Sequence, residues 1–274
     1  MAEPFEVSIL DQSVAVEGRP HAASITNAID LAIAAETFGY KRFWVSEHHN
    51  NDTIVGSAPE VLMAAIAART SRIRVGSAGV MLPHYSPYKV AEQFRVLEAI
   101  APGRIDLGLG RAPGSDGRTA FALNPLANER PDHFPSDIHD LKDWLDGREL
   151  RDGHPYRGVR AFPAGSTSPE IWILGSSNYG AQVAAHFGQP YAFAYFFTDG
   201  NGTADALRHY RELYKPSATY PKPHAALCVW ALAADTAEEA EYHYASRAHF
   251  RLYRDRGVFL PLKDPAEIAR HTYT

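Results

Sequence analysis

The feature that most constrains this chain is a regular alternation of short apolar runs with longer segments of helical period. Parallel strands need a crossover long enough to hold a helix, so this alternation predicts repeated βα units. The runs expected as strands are 7–10, 42–46, 73–81, 104–109, 170–174, 191–197 and 225–233. Most are apolar on successive residues, as strands covered on both faces are. Ser57-Ala58-Pro59-Glu60 and Thr236-Ala237-Glu238-Glu239 carry helix-start signals, a hydroxyl three residues before a glutamate. Ser86-Pro87 opens a segment with Val90, Phe94 and Leu97 on one face and Glu92, Arg95 and Glu98 largely on the others. Ile25, Ile29, Ala32 and Ile33 mark the first helix in the same way. Gly- and Pro-bearing loops at 111–135 and 147–169 are long enough to act as lids or insertions. No inter-domain linker interrupts the pattern, so one domain over 1–274 is expected. Periodicity alone does not separate a closed barrel from an open doubly wound sheet.

Composition narrows the partners. A formal net charge of -5 speaks against a nucleic-acid footprint or an anionic membrane surface, both of which need clustered basic charge. A small molecule is the expected partner. Cys228 is the single cysteine, which excludes an internal disulfide and a cysteine-based metal cluster and points to a reducing, cytoplasmic location. The start of the chain lacks the basic and apolar pattern of an export signal. The run 225–234 falls well short of the ~20 residues of a membrane span and is expected to be a buried strand.

Chemistry is expected where the strands end. Gly108-Leu109-Gly110-Arg111-Ala112-Pro113-Gly114 is a poor dinucleotide loop, because its third glycine comes late and Pro113 would break the following helix. Instead, Gly108 and Gly110 could let a strand end approach a ligand while Arg111 offers a fixed cation; the plain alternative is a surface arginine. Gly175-Ser176-Ser177-Asn178-Tyr179-Gly180 joins a strand to a helix start, where hydroxyls and open N–H groups make a phosphate cradle, unless Ser177 is only a cap. Ser46-Glu47-His48-His49 follows the second strand. Adjacent histidines in an extended segment face opposite ways, so a shared metal is not expected. One of them, pointing into a pocket, could act as an acid or base; a solvated loop histidine is the alternative. Small residues at 76–79 would let a flat ring lie against the backbone; a glycine bulge at the strand terminus is the alternative. No G-x-S-x-G elbow, P-loop or H-E-x-x-H is present, and Cys228 in an apolar run is expected to pack rather than react.

Taken in order, Ile9-Leu10-Asp11-Gln12-Ser13, Phe43-Trp44-Val45-Ser46-Glu47-His48-His49-Asn50, Gly79-Val80-Met81-Leu82-Pro83-His84-Tyr85-Ser86-Pro87, the 101–114 segment and Trp172-Ile173-Leu174-Gly175-Ser176-Ser177 resemble the luciferase-like flavin-dependent monooxygenase family. The resemblance implies an α/β fold, the (β/α)8 TIM barrel of the bacterial luciferase type, here without its last strand and helix. It also implies FMN at the C-terminal ends of the strands. Ala78 and Gly79 match a non-prolyl cis peptide beside the flavin ring, and Arg111 matches the arginine at the FMN phosphate. Gly175, Ser176, Ser177 and Gly180 match the rest of that cradle, and His48 matches the active-site histidine.

The implied chemistry uses reduced FMN from a separate flavin reductase, which reacts with O2 to a C4a-peroxyflavin that oxygenates an organic substrate. Tyr195, Phe196 and Phe197 are placed to line the pocket, with core packing as the default. Gly110 stands where light-emitting members carry a reactive cysteine, which speaks against light emission. The resemblance further implies a homodimer through the helices after strands two and three. Two other roles fit the same fold: a flavin-binding protein without turnover, and an oxidoreductase using F420. A purely structural or interaction role has the least support.

Overall fold

The computed structural model of the protein describes residues 5–111, 116–126 and 133–269. Among these, seven strands form one parallel sheet in strict chain order. They are β1 Ile9–Asp11, β2 Arg42–Val45, β3 Arg74–Met81, β4 Ile105–Gly110, β5 Glu170–Gly175, β6 Tyr191–Phe193 and β7 Ala225–Leu227. The helices are α1 His21–Thr37, α2 Pro59–Arg69, α3 Pro87–Ile100, α4 Gly117–Leu123, α5 Phe134–Leu145, α6 Asn178–Phe187, α7 Tyr195–Thr198, α8 Thr203–Leu213, α9 Ala237–Arg254 and α10 Pro265–Ile268. The sheet curls as a half-barrel and does not close among the described residues, with β1 and β7 at its edges.

Alternation along the strands divides the interior. Phe43, Val45, Val75, Ile105, Leu107, Ile171 and Ile173 join the helices in the main core. Trp44, Trp172 and Ala192 form a second cluster with Leu10, Ala78, Leu174 and Ala226, on the concave side. An ionic layer adjoins it at the level of Trp44. Asp106, wholly buried, accepts from Arg42 Nη1 (2.7 Å), Trp44 Nε1 (2.8 Å) and Arg74 Nε (2.8 Å). Glu170 takes a second hydrogen bond from Arg42 (3.2 Å) and one from Trp172 Nε1 (2.8 Å). The pairing Gly76↔Asp106↔Glu170 sets these groups at one level of the sheet.

Several sequence expectations are corrected. The first strand begins two residues later than expected, at Ile9. β6 ends at Phe193, because the backbone turns into α7 and Tyr195, Phe196 and Phe197 are helical. β7 ends at Leu227 and is exposed on alternate residues, so 225–234 is not a buried strand. Ala58, not Ser57, precedes α2, and no side chain caps that helix. Thr236 does cap α9, accepting from Glu239 N at 3.1 Å. On α3 the polar face fails at two positions. Arg95 and Glu98 are buried, where Arg95 donates to the carbonyls of Pro163, Leu145 and Thr167 and Glu98 accepts from Gly103 N. Parts of the 111–135 loop lie outside the described residues; α4 and the start of α5 occupy described parts of it.

Candidate functional site at the strand C-termini

The polar residues and glycines singled out for flavin chemistry fall at or just past the C-terminal ends of β2 to β5, so the parallel sheet gathers them on one rim. On β2 the alternation continues past the strand. Phe43, Val45, Glu47 and His49 share one parity, while Trp44, Ser46 and His48 share the other, that of the concave side. Glu47, 1% exposed, accepts from His49 Nε2 (2.7 Å), Tyr85 Oη (2.7 Å) and Met81 N (3.1 Å). That network ties the end of β2 to the end of β3. Burial and the adjacent Glu47 carboxylate push the Tyr85 phenol up, so it stays protonated and donating. Glu47 and Tyr85 were missed as functional positions in the sequence. The signal available was parity: a carboxylate in phase with Phe43 and Val45 has to be buried and therefore paired.

The opposite parity presents open chemistry. Ser46 Oγ and His48 Nδ1 are both buried and have no hydrogen-bond partner among the described residues. Burial holds the His48 imidazole below the usual histidine value of 6.5, chiefly by desolvating its charged form. It is neutral near pH 7 and able to give or take a proton at Nδ1. Because the folded value lies below 6.5, the unfolded chain binds more protons as pH falls through that window, and stability drops with it. Wild-type protein should therefore lose more thermal stability than His48→Asn between about pH 7.5 and about pH 5.5. Parallel melting curves for the two proteins would contradict this placement of His48.

At β3, the Ala78–Gly79 peptide is cis. A Cβ on Gly79 would lie 2.5 Å from Leu174 Cδ1 and 2.7 Å from the Gly108 carbonyl oxygen. This glycine therefore joins the ends of β3, β4 and β5. The glycines do less for a ligand than the sequence implied. At Gly108 a Cβ would meet the Ser77 carbonyl oxygen at 2.1 Å, and at Gly76 it would strike Asp106 and Trp44. Both positions serve strand-to-strand packing. Gly110, by contrast, has ordinary room for a side chain.

The residues expected to form a phosphate cradle come from two strand ends. Arg111, exposed after β4, lays its guanidinium 4.0 Å from the ring centroid of Tyr179, in the first turn of α6. Ser177 precedes α6, and among the described residues no side chain caps the first N–H groups of the helix, which start beside Ser176 and Ser177. Gly175 and Gly180 face one another, each with its missing Cβ toward the Tyr191 ring. Tyr191 Oη donates to the Ser177 carbonyl (3.1 Å) and fixes the turn. These two glycines thus shape the turn between β5 and α6.

The chain after β7 crosses the same rim. Arg251 of α9 binds Asp199, just after α7. Farther along, Leu262 exchanges backbone hydrogen bonds with Ala15 and Glu17, and the Leu260 carbonyl accepts from Thr53 Oγ1 (2.7 Å). This segment spans from the β6 side to the loops after β1 and β2. Under it, Phe196 is buried while Tyr195 and Phe197 are exposed, so only part of the expected aromatic lining is enclosed.

The luciferase-like monooxygenase family profile matches residues 5–273. N-acetyl-S-alkylcysteine monooxygenase of Bacillus subtilis (strain 168) is 43% identical over 251 residues, 90% of this chain and 73% of that protein. The crystal structure of apo-MsnO8 superposes with a TM-score of 0.88 at 37% identity, covering 96% of this chain and 77% of that one. The oxygenating constituent of 3,6-diketocamphane monooxygenase from Pseudomonas putida, in complex with FMN, shares the fold at a TM-score of 0.68 and 22% identity, with coverage of 92% and 76%.

Proposed function

Given that the chain belongs to the luciferase-like monooxygenase family and is an oxidoreductase of that kind, we propose that it binds reduced FMN and oxygenates a small organic substrate with O2. The observation that carries this reading is the uncapped start of α6 beside Arg111, a cradle for a phosphate dianion. The ring would then lie along Ala78–Gly79 toward His48, where Ser46 Oγ and His48 Nδ1 are the buried polar atoms left open. A flavin phosphate and a polar ring edge fit this donor set, and the FMN complex on the same fold is in keeping with it.

Reduced flavin supplies the electrons that activate O2 for transfer of one oxygen atom. The chain's own residues set the conditions. Arg111, Ser176 and Ser177 anchor the phosphate, and Gly175 and Gly180 keep the turn tight enough to aim the helix. Glu47 and Tyr85 hold His49 aside, which leaves neutral His48 to hold or move a proton at Nδ1. The segment carrying α9 crosses the rim, tied to the loop after β1 through Leu262, where it would limit the access of water. A separate reductase supplies the reduced flavin in this scheme. Exposed Val61 on α2 and Val96 and Ile100 on α3 provide apolar surface for a homodimer through those helices.

Anaerobic titration with reduced FMN, riboflavin and F420 tests the assignment. FMN should bind at least about tenfold more tightly than riboflavin. Arg111→Gln should weaken FMN about 10- to 100-fold while leaving riboflavin unchanged. Equal binding of FMN and riboflavin would overturn the phosphate cradle, and preference for F420 would move the chain to hydride transfer.

A further inference from the structure

Helix α9 carries Arg247, Arg251 and Arg254 at i, i+4 and i+7, along one face. Two of them are neutralised: Arg251 binds Asp199 and Asp255, and Arg254 binds Asp255. Arg247 makes no hydrogen bond or ion pair among the described residues. Its guanidinium lies 3.0 Å from the Trp230 ring centroid and 4.6 Å from that of Phe250. Trp230 in turn packs edge-on against Phe196, which hydrogen-bonds to the chain just after β7. The unpaired cation thus stands on the covering segment beside the ends of β6 and β7, apart from the Arg111 cradle at β4 and β5. Trp230 Nε1 is buried without a hydrogen-bond partner among the described residues. Trp230 also borders an open groove of about 450 Å³ with Leu232, Tyr244 and Ala248.

We propose that Arg247, with Trp230 Nε1, binds the carboxylate of an apolar organic acid and so sets the substrate class of the oxygenation proposed above, on which reading the inference rests. Two donor groups with no acceptor of their own, one cationic and both pressed into aromatic surroundings, leave an anion as their complement. A planar guanidinium matches the two oxygens of a carboxylate, and stacking on Trp230 fixes its plane. Burial disfavours the charge on Arg247 and holds its value down to about 9, so an incoming anion gains from relieving it. Apart from Glu241, the groove is lined by apolar and aromatic side chains, Trp230, Leu232 and Tyr244 among them, which accommodates a hydrocarbon body, while the Glu241 carboxylate disfavours a second negative charge.

Calorimetric titration of the full chain with 4-phenylbutyrate and with 4-phenylbutyramide, with and without FMN, separates the charge from the shape. The acid should bind at least about tenfold more tightly than the amide. Arg247→Gln should abolish that preference, Arg247→Lys should keep part of it, and Trp230→Phe should reduce it. Matching melting temperatures show that the variants are folded. Equal binding of acid and amide, no binding of the acid, or an unchanged preference in Arg247→Gln would overturn the proposal. Arg247-dependent acid binding by a chain that does not bind reduced FMN would uphold the carboxylate site and overturn only the oxygenase reading.

Discussion

Asp106→Ala is expected to remove about 3–5 kcal/mol of folding stability, because it breaks a buried charge network by deleting its hub. The carboxylate is wholly buried and neutralises two guanidiniums, Arg42 and Arg74, while also accepting from Trp44. Without it, Glu170 alone faces both arginines, and the Trp44 indole N–H loses its acceptor. The rim residues lie farther along the same strands, so loss of this layer should reach flavin binding as well. Denaturant midpoints of the wild-type and variant chains measure the effect; a difference under about 1 kcal/mol would show that the layer is not a unit.

Gly108→Ala should be comparably damaging, although alanine is ordinarily the mildest of changes. Its Cβ would stand 2.1 Å from the Ser77 carbonyl oxygen, and a backbone atom in a central strand pair has nowhere to move. Ser77 Oγ bridges to both the carbonyl and the N–H of Gly108, at 3.0 and 3.1 Å, so displacing the strands also breaks these bonds. A loss at or beyond the upper end of the ~1–3 kcal/mol usual for overpacking is expected, with flavin affinity falling through the displaced Ala78–Gly79 segment. Gly110→Ala, two residues on, is the control: among the described residues its Cβ meets nothing closer than 3.6 Å and should be tolerated. Equal tolerance at both positions would contradict the pairing of β3 with β4.

The same contrast explains what was legible in the sequence. Seven strand positions could be read because parallel strands are apolar on both faces and their helices carry periodic stripes. Strand ends could not be read where apolar residues continue past them: Tyr195-Phe196-Phe197 extends the pattern of β6, yet the backbone turns after Phe193 into a helical turn. Arg111 and Ser176–Ser177 could be proposed together from the sequence because strand-end chemistry is local, and in the fold Arg111 stacks on Tyr179, two residues past Ser177. The ionic layer was not, since Arg42, Arg74, Asp106 and Glu170 are far apart in the chain and meet only through the sheet register. Glu47 lay between the two: its parity marked it for burial, but its partner Tyr85 belongs to a different strand end. Glycines misled most. At Gly76 and Gly108 the missing side chain accommodates protein atoms, not a ligand.

If this rim holds reduced FMN and governs its reaction with oxygen, rapid mixing of the anaerobic complex with oxygenated buffer, followed by absorbance, will show it most directly. Two resolved phases are expected, with the oxidised flavin spectrum returning only in the slower one, and His48→Asn should alter that slower phase. Immediate single-phase oxidation at the rate of free flavin, or no binding of reduced FMN, would contradict the assignment of this rim as a flavin oxygenase site.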